Sequence, residues 1–144
     1  MKIGVWILIC LLACTACRDN PTDTRSAEEI ACYQSWRTGQ FYYREKPFGV
    51  FLVNRYDTLQ EEFIRTNGML VEFGLHWKND SIYELRFDKV VENPRNISLP
   101  DGIDTLVKTC KLTFVTDSSY VEQAYSNMST EVVHTLYLRP NKTR

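Results

Sequence analysis

Histidine is scarce in this chain. There are two, His76 and His134, neither with a neighbouring cysteine nor in a His-x-x-x-His spacing that would set metal ligands on one face. No zinc centre is expected from them, and no cofactor is implied. The chain also lacks a Gly-x-Ser-x-Gly turn to expose a serine nucleophile, a Gly-x-Gly-x-x-Gly turn for a dinucleotide, and a phosphate-binding loop. With the usual signatures of hydrolase and nucleotide chemistry missing, no catalytic residue is assigned and no enzyme is expected. A surplus of one charge is missing too, since 17 Lys and Arg stand against 18 Asp and Glu. No field of one sign is available to gather nucleic acid or anionic lipid. Long apolar runs are absent as well. The longest, residues 3–13, falls short of the roughly 20 residues that span a bilayer as a helix.

What that run does resemble is an export signal. Met1-Lys2 supplies one basic residue, the apolar stretch follows, and Cys14-Thr15-Ala16-Cys17 places small residues before a cysteine. The pattern is that of a bacterial lipoprotein signal over residues 1–16, with a lipid on Cys17 and the mature protein held at the outer membrane. The two candidate cysteines are supported by different arguments. Leu11-Leu12-Ala13-Cys14 has the leucine that lipoprotein signals carry three places before the cysteine, which makes Cys14 the alternative. Cleavage before Cys17 instead leaves two unlipidated cysteines, Cys32 and Cys110, and an even number suits an oxidising compartment. On that parity a Cys32–Cys110 disulfide is expected. Arg18-Asp19-Asn20 also resembles the short charged stretch that follows the lipidated cysteine in surface-exported lipoproteins of the Bacteroidota.

Residues 17–26 are polar, contain Pro21 and have no apolar period, as a tether would. Ser26-Ala27-Glu28-Glu29 is a capping box that predicts one short helix over residues 27–34. From there to residue 140 a single domain is expected, long enough for one core. Its composition is rich in aromatics, with 8 Tyr, 7 Phe and 3 Trp, and suits pleated surfaces. Alternation is clearest over residues 69–77, where Met69, Val71, Phe73, Leu75 and Trp77 share one face. It returns in Tyr83, Leu85 and Phe87, in Leu106, Cys110, Leu112 and Phe114 with Lys108 the one charge on the apolar side, and in His134, Leu136 and Leu138. Residues 40–44, 49–56, 59–65 and 120–126 complete about eight strands, parted by turns such as Asn67-Gly68 and Asn79-Asp80. Only residues 92–102, with Pro94 and Pro100, make a long loop. Sequential short strands without intervening helices predict antiparallel neighbours, and a sheet of this size hides its edges by curling. The fold class is therefore all-β: an up-and-down antiparallel barrel or half-barrel with one short N-terminal helix.

Two likenesses accompany this reading. Ser35-Trp36-Arg37-Thr38-Gly39-Gln40-Phe41, an aromatic and a glycine between a short helix and the first strand, resembles the opening of lipocalin-like barrels. Arg37-Thr38-Gly39 before a strand, together with Trp77-Lys78-Asn79-Asp80 preceding Tyr83-Glu84-Leu85, resembles small β-rich lipoproteins of the Bacteroidota. That resemblance implies an architecture and no activity.

Candidate site residues are few. Glu61 and Glu62 are adjacent in a strand and so point to opposite faces, which denies them a shared acid-base site and makes them read as a solvated strand face. Trp36, Phe41, Tyr42 and Tyr43 could build a ligand platform or a core. His134 falls on an apolar face, where a hydrogen-bonded core histidine is the ordinary outcome. Asp57-Thr58-Leu59, Asp80-Ser81-Ile82 and Asp104-Thr105-Leu106 each resemble the O-glycosylation acceptor of exported Bacteroidota proteins, which marks Thr58, Ser81 and Thr105. The same pairs are also ordinary turn chemistry before a strand. The function expected is a non-enzymatic interaction module with a protein partner in the cell envelope, either an accessory subunit or an inhibitor. The alternative is a carrier of a small ligand, which requires a lumen of ~300 Å³ or more apart from the core.

Overall fold

The computed structural model describes residues 25–140. Cys14, Cys17 and the expected signal over residues 1–16 fall outside them. The helix α1 (Ala27–Gln34) begins where its sequence predicts, with Ser26 Oγ accepting from the Glu29 amide at 3.1 Å. Eight strands follow: β1 (Gly39–Glu45), β2 (Gly49–Arg55), β3 (Leu59–Ile64), β4 (Met69–Trp77), β5 (Ile82–Glu92), β6 (Val107–Val115), β7 (Ser119–Ser126) and β8 (Val132–Leu138). A 3-10 turn, Ile103–Thr105, precedes β6.

Each strand pairs antiparallel with the next, and β8 returns to β1 through Phe41 opposite Leu138 and Tyr42 opposite Tyr137. The result is a closed up-and-down barrel without free edges. All pairing partners lie between Gly39 and Leu138, so nothing outside the described residues is needed to close it. The turns carry the expected chemistry. Asn67 Oδ1 accepts from the Met69 amide at 2.9 Å beside Gly68 at φ 76°, and Asn79 Oδ1 accepts from the amides of Ser81 and Ile82.

Closure gives the barrel two unlike ends. The turns joining β2 to β3, β4 to β5 and β6 to β7 share one end. Here α1 is tied down, with Gln34 Nε2 and Arg37 Nη2 both donating to Asp80 Oδ1 at 3.1 and 3.0 Å. Trp36, next in the chain, turns inward and packs on Phe41 and Tyr120 at 5.3 and 4.9 Å between ring centroids. This end is closed. The other end carries the long loop, residues 93–102, and the turn after it.

The inward faces follow the alternation read from sequence, with Phe73, Leu75, Tyr83, Leu85, Cys110, Leu112, Tyr120 and Leu136 in the core. Two expectations fail at strand ends. Phe114 is 64% exposed, because the β6–β7 register shifts between Leu112 and Phe114 and a one-residue slip turns a side chain to the opposite face. Leu138, the last residue of β8 and paired with Phe41 at the closing seam, is exposed.

Candidate functional site

The barrel interior is not uniformly apolar. Arg55 on β2, 2% exposed, occupies its axis. Its Nε donates to Gln60 Oε1 at 2.7 Å, Nη1 to the Trp36 carbonyl at 3.2 Å, and Nη2 to the hydroxyls of Tyr83 and Tyr120 at 2.6 and 2.8 Å. The Tyr83 hydroxyl in turn donates to Glu122. Gln60 passes the chain on by donating from Nε2 to Glu62 Oε1 at 2.8 Å, while Tyr43 donates to Glu62 Oε2 at 3.1 Å. Lys108 Nζ stands 3.8 Å from Glu62 Oε1. The result is a hydrogen-bonded polar plug linking five strands across the barrel.

Burial sets the electrostatics of this plug. Burial is the largest influence on Arg55 and opposes its charge, but Tyr120, Tyr83 and Glu122 outweigh it and hold the guanidinium above its ordinary range. Lys108 behaves alike: burial disfavours its ammonium, and Glu62 foremost restores it, so its pKa is raised. Burial raises Tyr43, Tyr83, Tyr120 and Cys110, keeping them neutral.

Beyond the plug, toward the open end, lie two cavities. One, of about 320 Å³, is lined chiefly by apolar inward-facing side chains including Phe51, Ile64, Met69, Val71, Phe73 and Phe87. The other, of about 300 Å³, is more polar, with Glu45, Lys108, Ser126, Ser129 and His134 beside Leu106 and Val132. Pro100 and Ile103 line both. The long loop therefore covers the mouth and the cavities adjoin beneath it.

The residues singled out in sequence are dispersed. Glu61 and Glu62 do point oppositely, Glu61 outward to Asn54 at 3.2 Å. Glu62, however, is buried in the plug and is not part of a solvated face. Of the aromatic group, Tyr43 lies inside and Tyr42 outside, stacked on Tyr137 at 5.3 Å. His76 is exposed on β4, and His134 lines the polar cavity. The expected Cys32–Cys110 disulfide is not formed, and both are free thiols. Cys110 points into the barrel with no exposed surface, whereas Cys32 on α1 directs Sγ to the Thr116 carbonyl at the closed end. Thr58 and Ser81 sit in closed-end turns, and Thr105 sits at the mouth, its hydroxyl donating to the Gly102 carbonyl at 2.7 Å. Among the described residues, no three or more His, Cys, Asp or Glu are grouped so as to hold a metal ion.

Sequence reasoning missed Arg55, Gln60 and Glu122. The signal was present. Val53-x-Arg55, Gln60-x-Glu62-x-Ile64 and Tyr120-x-Glu122-x-Ala124 place polar residues on the parity of the core face, as Lys108 does. Comparison of the chain with protein-family models, with curated proteins and with solved structures finds no match.

Proposed function

We propose that this chain is a carrier, holding a small apolar molecule in the barrel mouth beneath the 93–102 loop. The observation that supports this is the pair of adjoining cavities of about 320 and 300 Å³, of the size that small-ligand sites begin at. Their walls include core side chains such as Phe51, Phe73 and Ala124, with Glu62 of the plug and Lys108 beside it at their inner side. Phe48, Ile97, Leu99 and Met128 are exposed around that opening, an apolar margin suited to admitting an apolar guest. The reading is non-enzymatic and takes no metal or cofactor. With the lipoprotein reading of Cys17 it makes the protein a lipid-anchored component of the outer membrane.

The test is titration of the chain from residue 18 onward with N-phenyl-1-naphthylamine, a neutral dye that fluoresces in apolar surroundings. Saturable binding near one dye per chain is expected, lost in Val71→Trp, which fills the larger cavity. Non-saturating fluorescence, or full binding in Val71→Trp, overturns the reading.

A second reading, docking to an envelope protein, has its own observation. The Tyr42–Tyr137 stack lies on the outer surface, where Val133 and Phe114 are also exposed on β8 and β6. A photo-crosslinking residue at position 133, compared in cells with one at the exposed Lys111 of β6, tests it. One discrete adduct from position 133 alone supports docking there.

A further inference from the structure

We propose that the ligand is an amphiphile with an acidic head, its apolar chain in the cavity of Phe73 and Phe87 and its carboxylate between Lys108 and His134 in the adjoining one. This rests on the carrier reading and deepens it. The two cavities differ in kind: one is walled by apolar side chains apart from Glu62, Asn67 and Ser98, and the other carries Glu45, Lys108 and His134. They meet where Lys108, in the wall of the second, stands 3.8 Å from Glu62, in the wall of the first. A molecule filling both therefore needs an apolar end and a polar end.

The sign of the polar end follows from which groups are left unfilled. Glu62 already accepts from Gln60 and Tyr43 and faces Lys108, so its oxygens are occupied. The Lys108 ammonium offers three donors and makes no hydrogen bond to another described residue. Its nearest carboxylate oxygen lies at 3.8 Å, and the Phe73 ring lies 5.6 Å away. His134 is 8% exposed and lines the same cavity, yet its Nε2 has no hydrogen-bond partner, lying 3.3 Å from Glu45 Oε2 but out of line with it. Buried donors in native proteins are normally satisfied. Here the Lys108 ammonium, whose side chain is part-exposed, and the unpartnered His134 Nε2 face one cavity across Ala124, whose small side chain leaves room between their strands. A carboxylate brings two oxygens and accepts from both. A cationic head would instead bring a second positive charge against Lys108. Glu45, the remaining charge in this wall, is part-exposed at the rim, where water solvates it once the ligand takes His134.

The experiment displaces N-phenyl-1-naphthylamine from the chain beginning at residue 18 with dodecanoate, dodecanol or dodecylamine, each below its micellar concentration. Dodecanoate is expected to displace the dye at a concentration at least tenfold lower than dodecanol, with dodecylamine weakest. Lys108→Met is expected to abolish the advantage of acid over alcohol. Because Lys108→Met leaves Glu62 buried without its cation, His134→Phe is measured beside it, and that ratio is expected to fall several-fold, with circular dichroism reporting the fold of each variant. Equal affinity for acid and alcohol in the unmodified chain, or preference for the amine, overturns the head assignment and leaves the carrier reading standing. Failure of the dye itself to bind overturns both.

Discussion

Replacing Arg55 with methionine, similar in length and uncharged, probes the plug directly. The change removes four hydrogen bonds, to Gln60, the Trp36 carbonyl, Tyr83 and Tyr120, and a guanidinium 4.4 Å from the centroid of the Tyr83 ring. Hydrogen bonds to charged groups contribute ~1.5–3 kcal/mol each, which summed simply would exceed the stability of many domains. Two effects shrink the loss. The guanidinium no longer has to be desolvated, and both tyrosine hydroxyls remain near Glu122. What stays is the buried Glu122 carboxylate without the cation that reaches it through the Tyr83 and Tyr120 hydroxyls, and stripping a buried charge of its compensation costs up to ~3–5 kcal/mol. Against a domain stability of ~5–15 kcal/mol that is a large fraction. A urea titration, with a slope of ~1–3 kcal/mol/M, should move its midpoint down by ~2 M. Glu122→Gln removes the stranded charge, so the double variant Arg55→Met/Glu122→Gln should be more stable than the sum of the single losses by ~1 kcal/mol or more. A loss below ~1 kcal/mol for Arg55→Met, or strict additivity in the cycle, would refute the view that the two charges compensate one another in the barrel.

Other outcomes follow from the same geometry. Phe73→Ala should cost ~3–5 kcal/mol, while Glu72→Ala, which loses only the outward pairing with Lys89, should stay within ~0.5 kcal/mol in the same titration. Tyr43, Tyr83, Tyr120 and Cys110 are held neutral with raised pKa values, so their contribution is complete below their unfolded values of ~10 and ~8.5 and is lost as pH rises above them. Thermal midpoints should be level from neutral pH to about 8 and fall between 9 and 11; a level profile to 11 contradicts the burial of these groups. Native alkylation should modify Cys32 and spare Cys110 until the chain unfolds, and a Cys32–Cys110 cross-link found by non-reducing mass mapping would contradict the free thiols. Metabolic labelling with a clickable fatty acid should fail in Cys17→Ser and persist in Cys14→Ser, with the reverse moving the lipid to Cys14.

The barrel was legible because its determinants are local. The period of two in β4 and β5, the Asn turns and the capping box at Ser26 each act within a few residues, and together they name the elements and their order. Closure then follows from the lack of helices between strands. Phe114 was misread because a bulge depends on the partner strand as well as on its own sequence. The plug was legible in outline but resisted interpretation. Lys108 stood out as a charge among apolar residues, whereas Arg55 looked ordinary at a strand end, Glu62 beside another acid, and Glu122 as a single polar residue within a strand. Their pairing joins positions up to 67 residues apart (Arg55 and Glu122), and strand alternation specifies a face without specifying what stands opposite it. The cavities were beyond reach for the same reason, since a void is set by how side chains from many strands fail to meet. The cysteine parity argument failed differently, through an assumption about pairing that the inward direction of Cys110 defeats.

The plug also fixes a polarity for the molecule. Arg25, the first described residue, lies within 4.0 Å of Asp80 in the β4–β5 turn, so the chain enters at the closed end, beneath Trp36 and α1. The mouth, with its cavities and its exposed Phe48 and Met128, is at the opposite end. If Cys17 bears a lipid, the eight residues from there to Arg25 reach at most ~29 Å, and the anchor attaches at the end opposite the two cavities. A carrier anchored this way presents its opening away from its own tether and leaves the path to Lys108 and His134 clear. Arg55 serves both ends of this arrangement. Its hydrogen bond to the Trp36 carbonyl closes one end, and its link through Gln60 to Glu62 sets the charged floor of the other.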